Sequence, residues 1–344
     1  MNTVEKKHFR EHLIYDIIGD IHGHASELHK LLQAMGYQNS GQTYAHPSRK
    51  VLFLGDYIDR GPEIAETLHL VRNMIDSGQA VGLLGNHEYN FICMHKTDAN
   101  GSFLREHSPK NCGQTRETIK QLTHNKEPVE QWLQWMLSLP LFFETSEFRA
   151  IHACWSQSWI DFVTKQLGED LRLTESFLQK SAKKGQEQDA IEILLKGPEL
   201  ELPDKYRFKD SDGHIRNSMR LKWWVEPRQN SLLNELTFTK AEIGKSAFRS
   251  LDDKTRRQLK TNGYLKSEKP VFFGHYADTS GTPIKQENVA CLDAGVYYPE
   301  GTLTCYRWDG SRSLNPNNIV SLKSKALSSQ VESPSSCTSA IRSC

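Results

Sequence analysis

Carboxylate, amide and imidazole side chains recur in short polar clusters along this chain of 344 residues. The clusters are Asp20 with His22, Asp56 with Asp59 and Arg60, Asn86 with His87, and the single histidines His152 and His275. Oxygen and imidazole donors without a thiolate suit Mn²⁺, iron or Zn²⁺ better than a soft metal. If these side chains meet, they could hold two metal ions that share one carboxylate, which suits in-line displacement at phosphorus.

Such a metal pair would supply chemistry that the remaining side chains could complete. The ions polarise phosphoryl oxygens and lower the pKa of a bound water, which gives hydroxide near neutral pH. The leaving alkoxide then needs a proton, and a histidine that a carboxylate orients can supply it. Arg60 carries a planar, permanently charged group that matches the oxygens of phosphate.

Each polar cluster follows an apolar run that predicts a buried strand. The runs are Tyr15–Ile18, Val51–Leu54, Ala80–Leu84, Phe148–Ile151 and Val271–Phe273. Apolar residues at helical spacing follow the first two clusters, and another helix is expected after the third, so the pattern predicts repeated βαβ units in an α/β fold with a mainly parallel sheet. Ligands of open α/β sheets bind where the strands end, so we expect the clusters to converge there.

A simpler interpretation exists for each cluster taken alone. Asp, Asn and Gly commonly form turns after strands without any metal, and a lone histidine there is commonly a satisfied core residue. Because such polar clusters recur at the ends of successive predicted strands, the sequence favours a metal site over unrelated turns. Asp293 is expected to be structural or to lie beside the ligands, and Trp223-Trp224 to pack an insertion onto the core or to stack on a nucleobase.

Composition gives no sign of nucleic-acid or membrane binding. The formal net charge is +1, and no apolar stretch reaches the length of a membrane span. The seven cysteines are scattered and form no Cys-x-x-Cys, so neither a disulfide framework nor a thiolate zinc site is indicated. We expect a cytoplasmic location, and the sequence leaves the oligomeric state open.

The chain is predicted to form one domain over residues 13–309 with a largely helical insertion at about 158–267. The insertion is rich in charged, helix-favouring residues and should pack over the site. Residues 310–344 are rich in Ser and Asn, which predicts a disordered tail.

Three segments together resemble the signatures of one enzyme family. They read Gly-Asp-Ile-His-Gly at 19–23, Gly-Asp-Tyr-Ile-Asp-Arg-Gly at 55–61 and Gly-Asn-His-Glu at 85–88. In this order they resemble the calcineurin-like metallophosphoesterases, specifically the phosphoprotein phosphatase family with its Ser/Thr protein phosphatases and bacterial symmetrical dinucleoside tetraphosphatases. The resemblance covers roughly residues 13–155 and 268–308. It implies a β-sandwich flanked by helices, with the layer order αββα.

The resemblance also implies a role for each matching residue. It implies that the metal ligands are Asp20, His22, Asp56, Asn86, His152 and His275, with Asp56 bridging two divalent ions, for which manganese is expected ahead of iron or zinc. His87 would donate a proton to the leaving group, Asp59 would orient it, and Arg60 would bind the phosphate. Family members use a second phosphate-binding arginine, for which Arg220 is the candidate, with Arg216 behind it.

Two departures bear on the substrate. Ala153-Cys154-Trp155 follow His152 where eukaryotic protein phosphatases have two glycines, and the segments 291–295 and 301–304 are similar to the bacterial branch and the tetraphosphatases. The resemblance implies a Ser/Thr-type protein phosphatase or general phosphomonoesterase acting on phosphorylated protein or small phosphoesters. The alternative is a dinucleoside polyphosphate hydrolase. A catalytically silent metal-binding module is disfavoured, because His87, Asp59 and Arg60 serve turnover and not metal binding.

Overall fold

The computed structural model describes residues 14–201, 208–209, 215–228, 231–238 and 263–323. The strands are β1 (Ile14–Ile18), β2 (Gln38–Asn39), β3 (Tyr44–Ala45), β4 (Arg49–Phe53), β5 (Ala80–Gly82), β6 (Phe142–Glu144), β7 (Arg149–Ile151), β8 (Glu199–Glu201), β9 (Phe208–Lys209), β10 (Ile215–Arg216), β11 (Ser218–Leu221), β12 (Thr237–Phe238), β13 (Val271–Phe273), β14 (Ile284–Gln286), β15 (Val289–Cys291), β16 (Thr302–Arg307) and β17 (Ile319–Lys323). The helices are α1 (Ala25–Ala34), α2 (Ile64–Asp76), α3 (Asn86–His95), α4 (Pro109–His124), α5 (Val129–Leu137), α6 (Gln157–Leu167), α7 (Glu175–Ser181), α8 (Gln186–Lys196) and α9 (Leu233–Leu236).

Two five-stranded sheets organise the fold. The first has the order β17-β16-β1-β4-β5, in which β1, β4 and β5 run parallel and β16 is antiparallel to β1. The second has the order β14-β15-β13-β7-β6, with β7, β13 and β15 parallel. The loops that carry the predicted ligands follow parallel strands of the two sheets, which places them at shared edges.

The two sheets pack face to face over an apolar layer. Ile17 and Leu52 of the first sheet belong to the same buried cluster as Phe148, Phe272 and Ala290 of the second. A larger buried cluster joins the outer faces to α1, α2 and other helices. The predicted α/β fold, a β-sandwich flanked by helices, is confirmed. Within the described residues no helix has the length and apolar character needed to cross a bilayer.

The insertion is only partly helical. Its first part forms α6, α7 and α8 as predicted, whereas residues 199–238 contribute mainly short strands and the four-residue helix α9. Of these strands, β12, β11 and β8 pair antiparallel. The prediction of a largely helical insertion is therefore wrong for this second part, and residues 239–262 lie outside the described range. The strands have two to four residues, too few to produce a clear alternation.

The adjacent tryptophans of the insertion pack it onto the core. Trp223 and Trp224 are buried, and their ring centroids lie 5.0 and 5.1 Å from that of Phe273. Trp224 also meets Tyr276 edge-on at 5.4 Å. Both indoles therefore act in packing, because neither presents a free face for a base.

The C-terminal boundary lies further along the chain than predicted. A 3-10 turn at Pro316–Asn318 leads into β17, which pairs antiparallel with β16 over five register positions. The prediction that disorder begins at residue 310 is wrong up to residue 323, because Ile319, Val320 and Leu322 bury apolar surface against the two cores. The remaining tail, 324–344, lies outside the described residues.

Truncation tests the structural role of β17. A chain that ends at Asp309 loses three partly buried apolar side chains and the buried Leu314, so we expect the free energy of unfolding to fall by about 3–6 kcal/mol. Urea denaturation measures this change. A chain that ends at Ser324 keeps β17 and is the control. Equal unfolding midpoints for the two truncations would contradict the assignment of β17 to the domain.

Candidate active site

Five of the predicted site residues lie in loops and have unusual backbone conformations. Among the described residues seven non-glycines have positive φ, and five of these are predicted site residues. They are His22 (45°), Asp56 (54°), Asp59 (65°), Arg60 (69°) and His275 (62°). Left-handed backbone costs an ordinary residue about 1–2 kcal/mol, and such strain concentrates at functional sites.

Asp56 is shared by two groups of potential metal ligands. Its Oδ2 lies 3.5 Å from Nε2 of His22, and its Oδ1 lies 3.4 Å from Nε2 of His152. The first group consists of His22, Asp56 and His87, and the second of Asp56, His152 and His275, all buried. One oxygen of a single carboxylate therefore faces each group, as a bridging ligand requires.

Backbone carbonyls fix the tautomers of two of these histidines. Nδ1 of His22 lies 2.9 Å from the Ile58 carbonyl oxygen, and Nδ1 of His152 lies 2.8 Å from that of Leu54. A carbonyl only accepts hydrogen bonds, so Nδ1 carries the proton in each ring and Nε2 presents its lone pair. Metal-binding histidines are commonly oriented in this way.

Several acceptor atoms of the site lack a hydrogen-bond donor among the described residues, as the ligands of a cation would. Nε2 of His152 and Oδ1 of Asn86 are both acceptors, yet they lie 2.9 Å apart. Nε2 of His275 is buried and has no hydrogen-bond partner among the described residues. Burial and the carboxylates of Asp293 and Asp56 raise the pKa of Asp20, whose oxygens accept the backbone N–H of His275. The residues present therefore fit divalent metal ions.

Asp56 also lies at the start of α3. Its Oδ1 accepts the backbone N–H of His87 at 3.0 Å, where the helix dipole favours negative charge. Although burial opposes ionisation, the histidines around Asp56 and this hydrogen bond lower its pKa. The structure thus keeps this carboxylate charged.

His87 and Asp59 form a close pair beside this cluster. Nδ1 of His87 donates to Oδ2 of Asp59 at 2.6 Å, which leaves Nε2 facing the cluster, 3.8 Å from Oδ2 of Asp56. Burial alone would lower the pKa of His87, but Asp56 and Asp59 outweigh burial and raise it. The ring is thus arranged to hold a proton at Nε2.

Two arginines lie at the site. The Arg60 guanidinium stacks on Tyr297, with Cζ 3.9 Å from the ring centroid, and its Nη2 lies 3.4 Å from Nε2 of His87. Nη1 of Arg220 donates to the His275 carbonyl oxygen at 3.3 Å. Arg220 is therefore close enough to serve as predicted, and its phosphate contact stays a prediction. The side chain of Arg216 lies outside the described atoms.

Sequence reasoning assigned no role to Glu88, which the structure shows to be central. Its two carboxylate oxygens accept four backbone N–H groups, from Asp56 (2.9 Å), Tyr57 (2.8 Å), Ile58 (3.2 Å) and Gly85 (3.1 Å). Burial and Asp56 raise the pKa of Glu88 to about 8. Four donors on two oxygens nevertheless leave no lone pair to spare for a proton, so we assign the carboxylate form.

Close backbone approach explains two of the motif glycines. A Cβ at Gly85 would lie 2.3 Å from both the backbone nitrogen and Oδ1 of Asp56, and a Cβ at Gly274 would lie 2.0 Å from Oδ1 of Asp20. Neither position has room for a side chain without moving a predicted ligand.

Tyr297 is a second residue at the site that sequence reasoning missed. Besides covering Arg60, it meets His22 edge-on with the ring centroids 5.0 Å apart. In the sequence Tyr297 and Tyr298 form an aromatic pair that begins four residues after Asp293. This spacing does not indicate that Tyr297 contacts Arg60.

Comparisons with known proteins agree with this geometry. A family model described as calcineurin-like phosphoesterase matches residues 15–170. The chain is 26% identical over 309 residues to a symmetrical bis(5'-nucleosyl)-tetraphosphatase from Vibrio cholerae, a match that covers 85% of this chain and 94% of the relative. It is 33% identical over 121 residues to the asymmetrical bis(5'-nucleosyl)-tetraphosphatase PrpE from Halalkalibacterium halodurans, covering 34% of this chain and about half (49%) of the relative.

Among solved structures, the chain is similar to a cold-active protein-tyrosine phosphatase from a psychrophilic Shewanella species. The TM-score is 0.45 at 16% identity, and the match covers 88% of this chain and 80% of that chain. At these values the similarity carries no conclusion about the substrate.

Replacing Glu88 by Gln tests its role in assembling the site. The amide keeps the shape but turns one acceptor into a donor that faces two backbone N–H groups, so we expect a loss of about 2–4 kcal/mol in the free energy of unfolding. Because the loop that carries Asp56 would shift, metal content should fall as well. Urea denaturation and metal analysis measure both effects, with the exposed Glu66→Gln as control. Unchanged stability together with full metal content would contradict the role.

Proposed function

We propose that the chain acts as a calcineurin-like metallophosphoesterase, a metal-dependent hydrolase of phosphoric esters, and that it cleaves dinucleoside tetraphosphates symmetrically. The observation that carries the reaction type is Asp56, whose two oxygens face two buried groups of potential ligands. The substrate class is supported by the symmetrical tetraphosphatase, 94% of whose length this chain matches.

We propose that the site binds two divalent metal ions. Asp20, His22 and Asp56 would hold one, and Asp56, Asn86, His152 and His275 the other. Oxygen and imidazole donors suit Mn²⁺, iron or Zn²⁺, of which we propose Mn²⁺. When bound, the ions supply Lewis-acid polarisation of the phosphoryl group and a water of lowered pKa.

The chain's own residues would bind and orient the phosphate. Arg60 offers a guanidinium that Tyr297 holds flat, and Arg220 would approach the same phosphate from the side of His275. Two permanent positive charges suit a polyphosphate chain, which carries several negative charges. Glu88 would act indirectly, by fixing the loop that carries Asp56.

His87 would donate the proton that the departing oxygen needs. Its Nε2 faces the cluster between Asp56 and Arg60, while Asp59 holds the opposite ring nitrogen. Proton donation of this kind contributes most when the leaving oxygen is strongly basic.

This pair favours a second candidate function. The oxygen that leaves during tetraphosphate cleavage belongs to a phosphate and departs readily, whereas a serine or threonine alkoxide departs only with a proton. A dedicated proton donor therefore suits a phosphomonoesterase acting on alkyl phosphates, including phosphorylated protein. The observation behind this alternative is the 2.6 Å contact between His87 and Asp59.

A substrate panel distinguishes the two candidates. The Mn²⁺-loaded protein is supplied with diadenosine tetraphosphate, a phosphoserine peptide and p-nitrophenyl phosphate, and kcat/KM is measured for each. We expect diadenosine tetraphosphate to be the best substrate and to yield two molecules of ADP. AMP with ATP would contradict symmetrical cleavage, and a higher kcat/KM on the phosphopeptide would favour the phosphomonoesterase.

Replacing His87 by Asn tests the proton donor. General acid catalysis contributes about 10²–10⁴-fold, so kcat/KM on the phosphoserine peptide should fall by roughly that factor. On p-nitrophenyl phosphate, whose leaving group needs little protonation, the loss should be at least tenfold smaller. A matched exposed control is His124→Asn at the end of α4. Equal losses on both substrates with metal content retained would show that His87 orients water or phosphate instead, and loss of metal would make it a ligand.

A further inference from the structure

One face of α4 packs against the loop that carries Asp59 and Arg60. The residues on this face are Gln114, Thr118 and Gln121, at the four- and three-residue spacing of a single helical stripe. Gln121 Oε1 accepts the backbone N–H of Ile64 at 2.6 Å, and its Nε2 donates to the Gly61 carbonyl oxygen at 3.3 Å. We refer to these three side chains as the α4 stripe.

Thr118 makes a two-way contact with Asp59. Its hydroxyl donates to Oδ1 of Asp59 at 2.5 Å, and its oxygen accepts the backbone N–H of Asp59 at 3.1 Å. Both residues are fully buried, so no water competes for these groups. The two hydrogen bonds together hold the left-handed backbone of Asp59 and the rotation of its carboxylate.

The carboxylate of Asp59 is thereby divided between two partners. Oδ2 accepts Nδ1–H of His87 at 2.6 Å, while Oδ1 accepts the Thr118 hydroxyl. Gln114 does not duplicate this contact. Its amide nitrogen lies 3.2 Å from Nδ1 of His87, but Nδ1 already donates to Asp59 and has no lone pair to accept a second hydrogen.

We propose that Thr118 is a positioning residue for proton donation by His87, acting through Asp59. This inference rests on the proposed function, because it assigns a role to the proton donor named there. Without the hydroxyl, Oδ1 of Asp59 is left unpaired in a buried environment, and the carboxylate can turn towards other donors. Nδ1 of His87 then loses its fixed hydrogen-bond partner, and the ring no longer keeps Nε2 oriented towards the leaving oxygen.

The test removes the hydroxyl while keeping the shape. Thr118→Val is nearly isosteric and deletes both hydrogen bonds to Asp59, whereas Thr118→Ser keeps the hydroxyl. The matched control is Thr115→Val on the same helix, because the hydroxyl of Thr115 is buried and has no hydrogen-bond partner among the described residues. All variants are compared as metal-loaded protein well below their unfolding temperatures.

The expected signature is a steeper dependence of rate on the pKa of the leaving group. A hydrogen bond to a charged group corresponds to about a 10- to 100-fold factor, so Thr118→Val should lose that much in kcat/KM on a phosphoserine peptide. On p-nitrophenyl phosphate the loss should stay within about threefold, since little protonation is needed. Thr118→Ser and Thr115→Val should stay within about threefold of the unaltered protein on both substrates.

A second readout does not depend on turnover. Protein labelled with ¹⁵N-histidine and loaded with diamagnetic Zn²⁺, because Mn²⁺ would broaden nearby resonances, should show a downfield, slowly exchanging Nδ1 proton for His87. That proton lies in a short buried hydrogen bond. Thr118→Val should move this resonance upfield or broaden it, and Thr118→Ser should keep it. If Thr118→Val does not fold, Thr118→Cys replaces it. A thiol is a weak donor, so this variant should show an intermediate dependence of rate on leaving-group pKa and an intermediate chemical shift of the His87 Nδ1 proton.

Each outcome decides between the inference and the function on which it rests. If His87→Asn steepens the leaving-group dependence and Thr118→Val does not, Thr118 is not a positioning residue although the proposed function stands. Equal loss on both substrates with an unchanged resonance would overturn the inference in the same way. If His87→Asn leaves the dependence unchanged, the proton donor itself is wrong and the role of Thr118 falls with it.

Discussion

The buried carboxylate of Glu88 is the interaction on which the site depends. A charge without water is costly unless it is fully hydrogen-bonded, and here four backbone N–H groups satisfy it. Three of the donors belong to the loop after β4 and the fourth to the loop after β5. The same contact that stabilises Glu88 therefore sets the distance between the two loops, and with it the position of Asp56 over the start of α3.

The two sheets divide the site between them. Loops of the first sheet supply Asp20, His22 and Asp56, the start of α3 supplies Asn86, and loops of the second sheet supply His152 and His275. Asp56 links the halves, since one of its oxygens faces His22 and the other His152. The apolar layer between the sheets thus fixes the separation of the two groups of candidate ligands. A change in packing within that layer would therefore change the distance between the groups, even far from the polar residues.

The sequence predicts those parts of the molecule whose signal is local. Apolar runs followed by polar clusters correctly predict the parallel strands, and the structure brings the candidate ligands that follow them together, because parallel strands end at one edge. The roles of Glu88, Thr118 and Tyr297 depend on partners 30, 59 and 237 residues away, and no periodicity encodes those distances. β17 was missed for a related reason, since its pairing with β16 outweighs the polar composition around it.

The left-handed residues of the site place opposite demands on activity and folding. Gly or Asn adopts these backbone angles at a lower cost in folding free energy than Asp, His or Arg does. Each of these side chains in the candidate site therefore makes the fold slightly less stable than such a replacement would. Sequence drift after a loss of selection for turnover should therefore be directional. Arg60, whose side chain is exposed, would change first, and a descendant with glycine there would be thermally hardier than its ancestor while turning over poorly. Asp59 would persist longer, because its buried carboxylate is hydrogen-bonded to Thr118 and His87.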